Sequence, residues 1–198
     1  MLPSSAYMPN TDPMTTAERT TIFDDLASEI TQHYYRGRIL IAIDGVDGQA
    51  TGQFADSLAA AMRTGSRSVV RSTSTPDPAA ERHDLSFPRS NDYFADQDHS
   101  CLRGIVSRFR EGNQDTDATV AVVPPDAMLI VDGRFLLRPE LRAIWHFTVW
   151  LEGNVRLTDD SLEAQSRYTR DSAPRDTAHA IFNITKAEAP VRVWADSC

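Results

Sequence analysis

Lysine is almost missing from this chain: Lys186 is the only one among 20 basic residues, and the rest are arginine. Positive charge is short overall, with 28 acidic residues and a net charge of −8. That balance argues against a nucleic-acid or anionic-membrane partner, since both reward a basic surface. Cysteine is scarce too. Cys101 and Cys198 form neither a C-x-x-C pair nor a zinc spacing, which points to a reduced, cytoplasmic setting. No apolar run approaches the ~18 residues of a membrane span. The start of the chain has no basic region followed by an apolar stretch, so no signal peptide is expected. His33, His83, His99, His146 and His179 share no metal-ligand spacing, and His146 and His179 alternate with apolar residues as packed or surface strand residues do. Neither a Gly-x-Ser-x-Gly elbow nor a Cys/His pairing supports nucleophilic catalysis.

What is present is an ordinary globular composition, 41% apolar over 198 residues, enough for one domain with a sizeable core. Residues 1–13, with three prolines and little apolar periodicity, read as a disordered leader before a single domain over 14–198. Thr15-Thr-Ala-Glu18 has the form of a capping box. Ile22, Leu26, Ile30 and Tyr34 then recur at helical spacing up to Gly37. Strands are expected over 39–43, 68–73, 119–123, 127–131, 145–151 and 178–184, and helices over 53–63, 93–110, 136–144 and 159–170, with a loop at 74–90. Apolar strands alternating with helices predict an α/β three-layer sandwich around a mostly parallel sheet of about five strands. In such sheets ligands bind at the carboxyl ends of the strands. The loop at Gly45, the loop after Thr73 and Asp132 should meet there.

The segment Arg38–Leu58 organises the rest. An apolar run, Ile39–Ile43, leads into the glycine-rich turn Gly45-Val-Asp-Gly48 and then into a helical pattern with Phe54, Leu58 and Met62 on one face. Strand, glycine loop and helix is the layout of a phosphate-binding P-loop, G-x-x-x-x-G-K-[ST]. Counted from Gly45, the second glycine, the lysine and the hydroxyl residue are replaced by Ala50, Thr51 and Gly52. With Lys186 alone in the chain, no other alignment supplies that lysine. The row Gly45, Asp47, Gly48, Gln49, Ala50, Thr51, Gly52, Gln53 is the candidate phosphate-binding segment. It is read either as an anion-attracting row of N–H groups at a helix start or as a plain strand-to-helix turn. Asp44 and Asp47 add negative charge beside it.

Three segments resemble the uridine kinase-like P-loop nucleoside kinases in their bacterial form. These are Ile41–Gly48 with Phe54–Leu58, Tyr93-Phe-Ala-Asp96 with Leu102-Arg103, and Met128–Trp145; Ala178–Asn183 with Pro190 is a weaker echo. Together they cover roughly residues 38–195. The resemblance implies a P-loop NTPase fold, ATP, Mg²⁺ and phosphoryl transfer to a small hydroxyl acceptor. It also implies an acceptor pocket at Tyr93, Asp96 and Arg134, and an acidic strand end at Asp132. Tyr93 and Asp96 read equally as an ordinary helix start, Arg134 as part of a solvated helix face, and Asp132 as a solvated strand end.

The chain departs from that family where phosphoryl transfer is done. Thr51 stands at the lysine position and Gly52 at the magnesium-binding hydroxyl position. After the second strand, Ser72-Thr-Ser-Thr-Pro76 holds no carboxylate before Asp77, so Asp132 and Asp77 are the remaining catalytic candidates. In place of the arginine-rich lid the chain runs Leu157-Thr-Asp-Asp-Ser-Leu-Glu163. Losing one preorganised electrostatic donor typically costs ~3–4 kcal/mol of transition-state stabilisation. The expectation is therefore a degenerate kinase, a pseudokinase that binds a protein partner or an anionic, nucleotide-like ligand. The alternative is an active small-molecule kinase, using ATP and Mg²⁺, whose cation comes from Arg89, Arg134 or Arg170.

Overall fold

The computed structural model describes residues 16–46, 48–74, 98–116, 119–153, 159–186 and 188–194. Its centre is a six-stranded sheet. The strands are β1 (Ile39–Gly45), β2 (Val69–Ser74), β5 (Met128–Gly133), β6 (Phe147–Glu152), β7 (Ala180–Asn183) and β8 (Val191–Val193), in the order β2-β5-β1-β6-β7-β8. All neighbours run parallel except β8, which pairs antiparallel with β7. The short pair β3 (Asn113–Thr116) and β4 (Thr119–Val122) forms a separate antiparallel hairpin.

The sequence dictates burial on both faces of β1, because its residues are apolar without alternation. Ile39, Ile41 and Ile43 face one core, with α1 (Thr16–His33) and α2 (Gly48–Met62) laid over them through Phe23, Leu26, Ile30, Phe54 and Leu58. Leu40 and Ala42 face the other core, with α3 (Asp98–Glu111) supplying Leu102, Val106 and Phe109, and the 135–145 segment supplying Leu136, Leu141 and Trp145. Each large side chain buried this way is worth ~1.5–3 kcal/mol over leaving it exposed. Short helices α4 (Pro139–Arg142) and α6 (Pro174–Thr177) and the longer α5 (Asp159–Ser172) complete the order. Arg67 fastens the amino edge of the sheet, donating to the carbonyls of Tyr34, Gly37 and Asp126.

The sheet has the expected class, with five parallel strands, and differs in detail. A sixth, antiparallel edge strand is present, and only three residues long it leaves no period-2 pattern to read. The apolar segment expected as a strand at 119–123 leaves the main sheet and pairs locally with polar Asn113–Thr116. Helix α2 begins at Gly48 rather than residue 53, since first-turn residues need no apolar periodicity. The helix expected over 136–144 shrinks to Pro139–Arg142, because Leu136 and Leu137 are drawn into the core as a turn. The leader, most of the 74–90 loop and residues 93–97 lie outside the described residues.

At the carboxyl end of β5, Gly133 is required by close approach: a Cβ there would stand 2.6 Å from the Ser74 carbonyl oxygen. Gly133→Ala is expected to destabilise the protein by ~1–3 kcal/mol through overpacking. Gly52→Ala, whose Cβ would make only an ordinary 3.6 Å contact with Asp132 Oδ2, is expected to stabilise by ~0.5–1 kcal/mol through helix propensity. Urea denaturation of the two variants beside the wild type measures both signs.

Candidate functional site

Strand β1 and helix α2 are separated only by Val46 and Asp47. Residues 48–51, which the sequence placed in a loop, form the first turn of α2 instead. Thr51 is fully buried. A Cβ on Gly45 would come within 2.7 Å of Thr51 Oγ1 and 3.1 Å of Leu151 Cβ, so the hydroxyl lies against the glycine. Ala50 is buried beside it, whereas Gln49 is exposed.

Opposite α2, Asp132 ends β5 on the same sheet face and is 2% exposed. Its Oδ1 accepts from Arg71 Nη1 at 2.5 Å and from Thr73 Oγ1 at 3.0 Å. Arg71 and Thr73 are one pleat apart on β2, and parallel register places Thr73 beside Asp132. The same guanidinium donates from Nε to Asp56 Oδ1 of α2 at 2.9 Å, and from Nη2 to the Gly52 carbonyl at 3.5 Å. Arg71 thus joins β2, β5 and α2 through one side chain that is itself 16% exposed. A Mg²⁺ ion demands near-octahedral oxygen ligation. Here Gly52 offers no side-chain oxygen and Asp132 Oδ1 is already shared by a cation and a hydroxyl, so the residues present do not fit that ion. Among the described residues, no group of three or more His, Cys, Asp or Glu side chains could hold a metal.

Asp44 ends β1 on the other face, away from α2. This corrects the expectation that it adds charge to the α2 turn. Its carboxyl is buried and accepts from the N–H groups of Phe135 (3.1 Å) and Leu137 (3.0 Å) and from Tyr168 Oη (2.5 Å). Tyr168 in turn accepts from the Leu137 N–H at 3.1 Å. Phe135 sits at φ +63°, a conformation that costs a non-glycine residue ~1–3 kcal/mol and that these bonds hold in place. Burial pushes the Asp44 carboxyl up to about 6, against the lowering effect of its donors, Tyr168 first. Burial and the facing Asp44 push Tyr168 upward as well.

Of the other expected site residues, Asp47, Asp77, Arg89, Tyr93 and Asp96 lie outside the described residues. Arg134 stacks its guanidinium 4.7 Å from the Phe135 ring centroid. Arg170 is exposed and paired with its neighbour Asp171. Gln53 is exposed on α2. The structure therefore brings Gly45, Thr51, Gly52 and Asp132 together, while Arg170 points to solvent. Histidines 146 and 179 extend the sheet. His146 Nδ1 accepts from the Leu40 N–H and His179 Nδ1 from the Thr148 N–H, both at 3.1 Å, and burial lowers both pKa values. The residue the sequence reading missed is Arg71. Its one available signal was a charged residue interrupting an otherwise apolar and hydroxyl-bearing strand.

No family model and no curated protein matches the chain. Solved structures do. One, described as a possible uridine kinase from Bacillus stearothermophilus, superposes with a TM-score of 0.63 at 17% identity, covering 85% of this chain and 99% of that one. Another, assigned provisionally as a fructose transport system kinase from Silicibacter sp. TM1040, gives a TM-score of 0.48 at 16% identity, covering 93% and 98%. With the six-stranded, mostly parallel sheet, the first likeness gives the chain an α/β fold of the P-loop NTPase class. No helix among the described residues is long and apolar enough to cross a membrane.

The Asp44 carboxyl has a defined pH signature. Its folded pKa of about 6 lies above the ordinary 3.8, so the folded state holds the proton longer than the unfolded chain. Its contribution to stability is complete below about pH 3.8 and is lost as pH rises through about 6, by roughly 3 kcal/mol. Asp44→Asn lacks this dependence. The stability of wild type relative to Asp44→Asn, measured by urea denaturation, is expected to fall by that amount between about pH 4 and about pH 7. A difference that grows with pH would mean that the three donors outweigh burial.

Proposed function

We propose that this chain is a degenerate P-loop kinase: a pseudokinase that binds a protein partner or an anionic, nucleotide-like ligand through the cleft at the carboxyl ends of β1 and β5, without phosphoryl transfer. The observation that supports it is the burial of Thr51. In a P-loop the residue at that position reaches the β- and γ-phosphates as a point charge. Here it is a neutral hydroxyl, fully enclosed and turned onto Gly45. Its helical turn starts at Gly48, leaving two residues between strand and helix. The first-turn N–H groups of α2 attract an anion through the helix dipole without supplying the charge that a lysine brings to the transition state.

Calorimetric titration with ATP–Mg²⁺ and an assay of ADP release over a panel of nucleoside and sugar acceptors test this reading. No acceptor-dependent ADP release is expected; saturable ATP–Mg²⁺ binding accompanied by such release would overturn it. The double variant Thr51→Lys/Gly52→Thr is expected to leave ATP affinity at background. It should also lower stability by ~1–3 kcal/mol, because the new side chain enters a filled space. ATP–Mg²⁺ binding by that variant would show that the β1–α2 connection still wraps a phosphate.

A further inference from the structure

We propose that Arg71 is a tethered cation occupying the divalent-metal position of the cleft, so that the protein takes no Mg²⁺ or metal–nucleotide complex there and any anion it holds is bound metal-free. The proposal deepens the non-catalytic reading and rests on it for the location of the cleft. Its test uses no nucleotide, so the two can fail separately.

The argument is one of charge and space. Asp132 is the buried carboxylate facing α2, and a Cβ on Gly52 would stand 3.6 Å from its Oδ2. A divalent ion held between α2 and β5 would have to use this carboxylate. Arg71 reaches it first, from the neighbouring strand, at 2.5 Å. The guanidinium is fixed there by Asp56 on its Nε side and by the carbonyls of Gly52 and Ser72 at longer range. To withdraw it would have to give up its bonds to Asp132, Asp56 and the Gly52 carbonyl together. Arginine suits the role because its planar fork holds several oxygens at once and its charge persists at every pH the protein meets. A divalent ion approaching Asp132 meets a fixed positive charge in contact with the one buried carboxylate that faces α2 among the described residues, and an oxygen already accepting from the Thr73 hydroxyl. Helix α2 offers no hydroxyl at residue 52 to complete a ligand set.

Exchange of the guanidinium for a neutral group should release the carboxylate to a metal. The experiment is Mn²⁺ binding followed by electron paramagnetic resonance on wild type, Asp132→Asn, Arg71→Gln and Arg71→Lys, with thermal unfolding in the presence and absence of Mg²⁺. Wild type and Asp132→Asn are expected to bind Mn²⁺ equally poorly. Arg71→Gln is expected to bind about ten- to a thousandfold more tightly, the range over which a contacting charge moves a carboxylate's protonation equilibrium, and to lose that gain when combined with Asp132→Asn. Arg71→Lys, which keeps the charge, should resemble wild type. Mn²⁺ binding by wild type that Asp132→Asn abolishes would overturn the proposal. So would a folded Arg71→Gln that binds no better than wild type, or an Arg71→Lys that gains as much. If Arg71→Gln folds only with Mg²⁺ or Mn²⁺ present, the metal has taken the place of the guanidinium, as proposed. If it does not fold at all, the comparison of wild type with Asp132→Asn decides.

Discussion

Two carboxylates at adjacent strand ends have to be compensated inside the protein, and the upper half of the molecule is arranged around that requirement. Asp44 and Asp132 close the central strands β1 and β5, on opposite faces, with Asp132 in register beside Ile43 and Asp44 beside Gly133. Both are buried. An isolated ionised carboxylate cannot be left in such a place without several kcal/mol of desolvation cost. The fold answers differently on each face. Asp132 receives a full charge from Arg71, whereas Asp44 receives neutral donors from Phe135, Leu137 and Tyr168. The consequence is a fixed cation on one face and a carboxyl poised near neutrality on the other.

These answers also set the local architecture. Arg71 links α2, through Asp56 and the Gly52 carbonyl, to β2 and to Asp132 of β5. The Asp44 knot holds the turn after β5, with Phe135 in its left-handed conformation, beneath Tyr168 of α5. Asp132 and Asp44 are both engaged in holding elements together, the first between β2, β5 and α2 and the second between β1, the turn after β5 and α5. A buried ion pair of this kind gives modest net stability, yet removing one partner is strongly destabilising. The cleft is thereby committed to the arrangement it has.

Much of this was legible in the chain. The non-alternating apolar run at Ile39–Ile43 announced a central strand buried on both faces. The 3.6-residue recurrence of Phe54, Leu58 and Met62 announced its covering helix. Less legible were elements without a period, such as the three-residue edge strand β8, the polar strand β3 and the first turn of α2. Arg71 itself was visible as a residue, but nothing local marks its partners, which lie 15 and 61 positions away along the chain.

Sequence alone thus determined the α/β class, the central strand and its helix, and the chemical identities at positions 51 and 52, because period and residue type are local properties. Only the tertiary structure decided which way the charged side chains turn and what neutralises them. Strand pleat sends Asp44 to one face and Asp132 to the other, and parallel register brings Arg71 and Thr73 of a distant strand beside Asp132. Compensation of a buried charge depends on atoms brought within about 3 Å by the fold, a distance that no separation along the chain encodes.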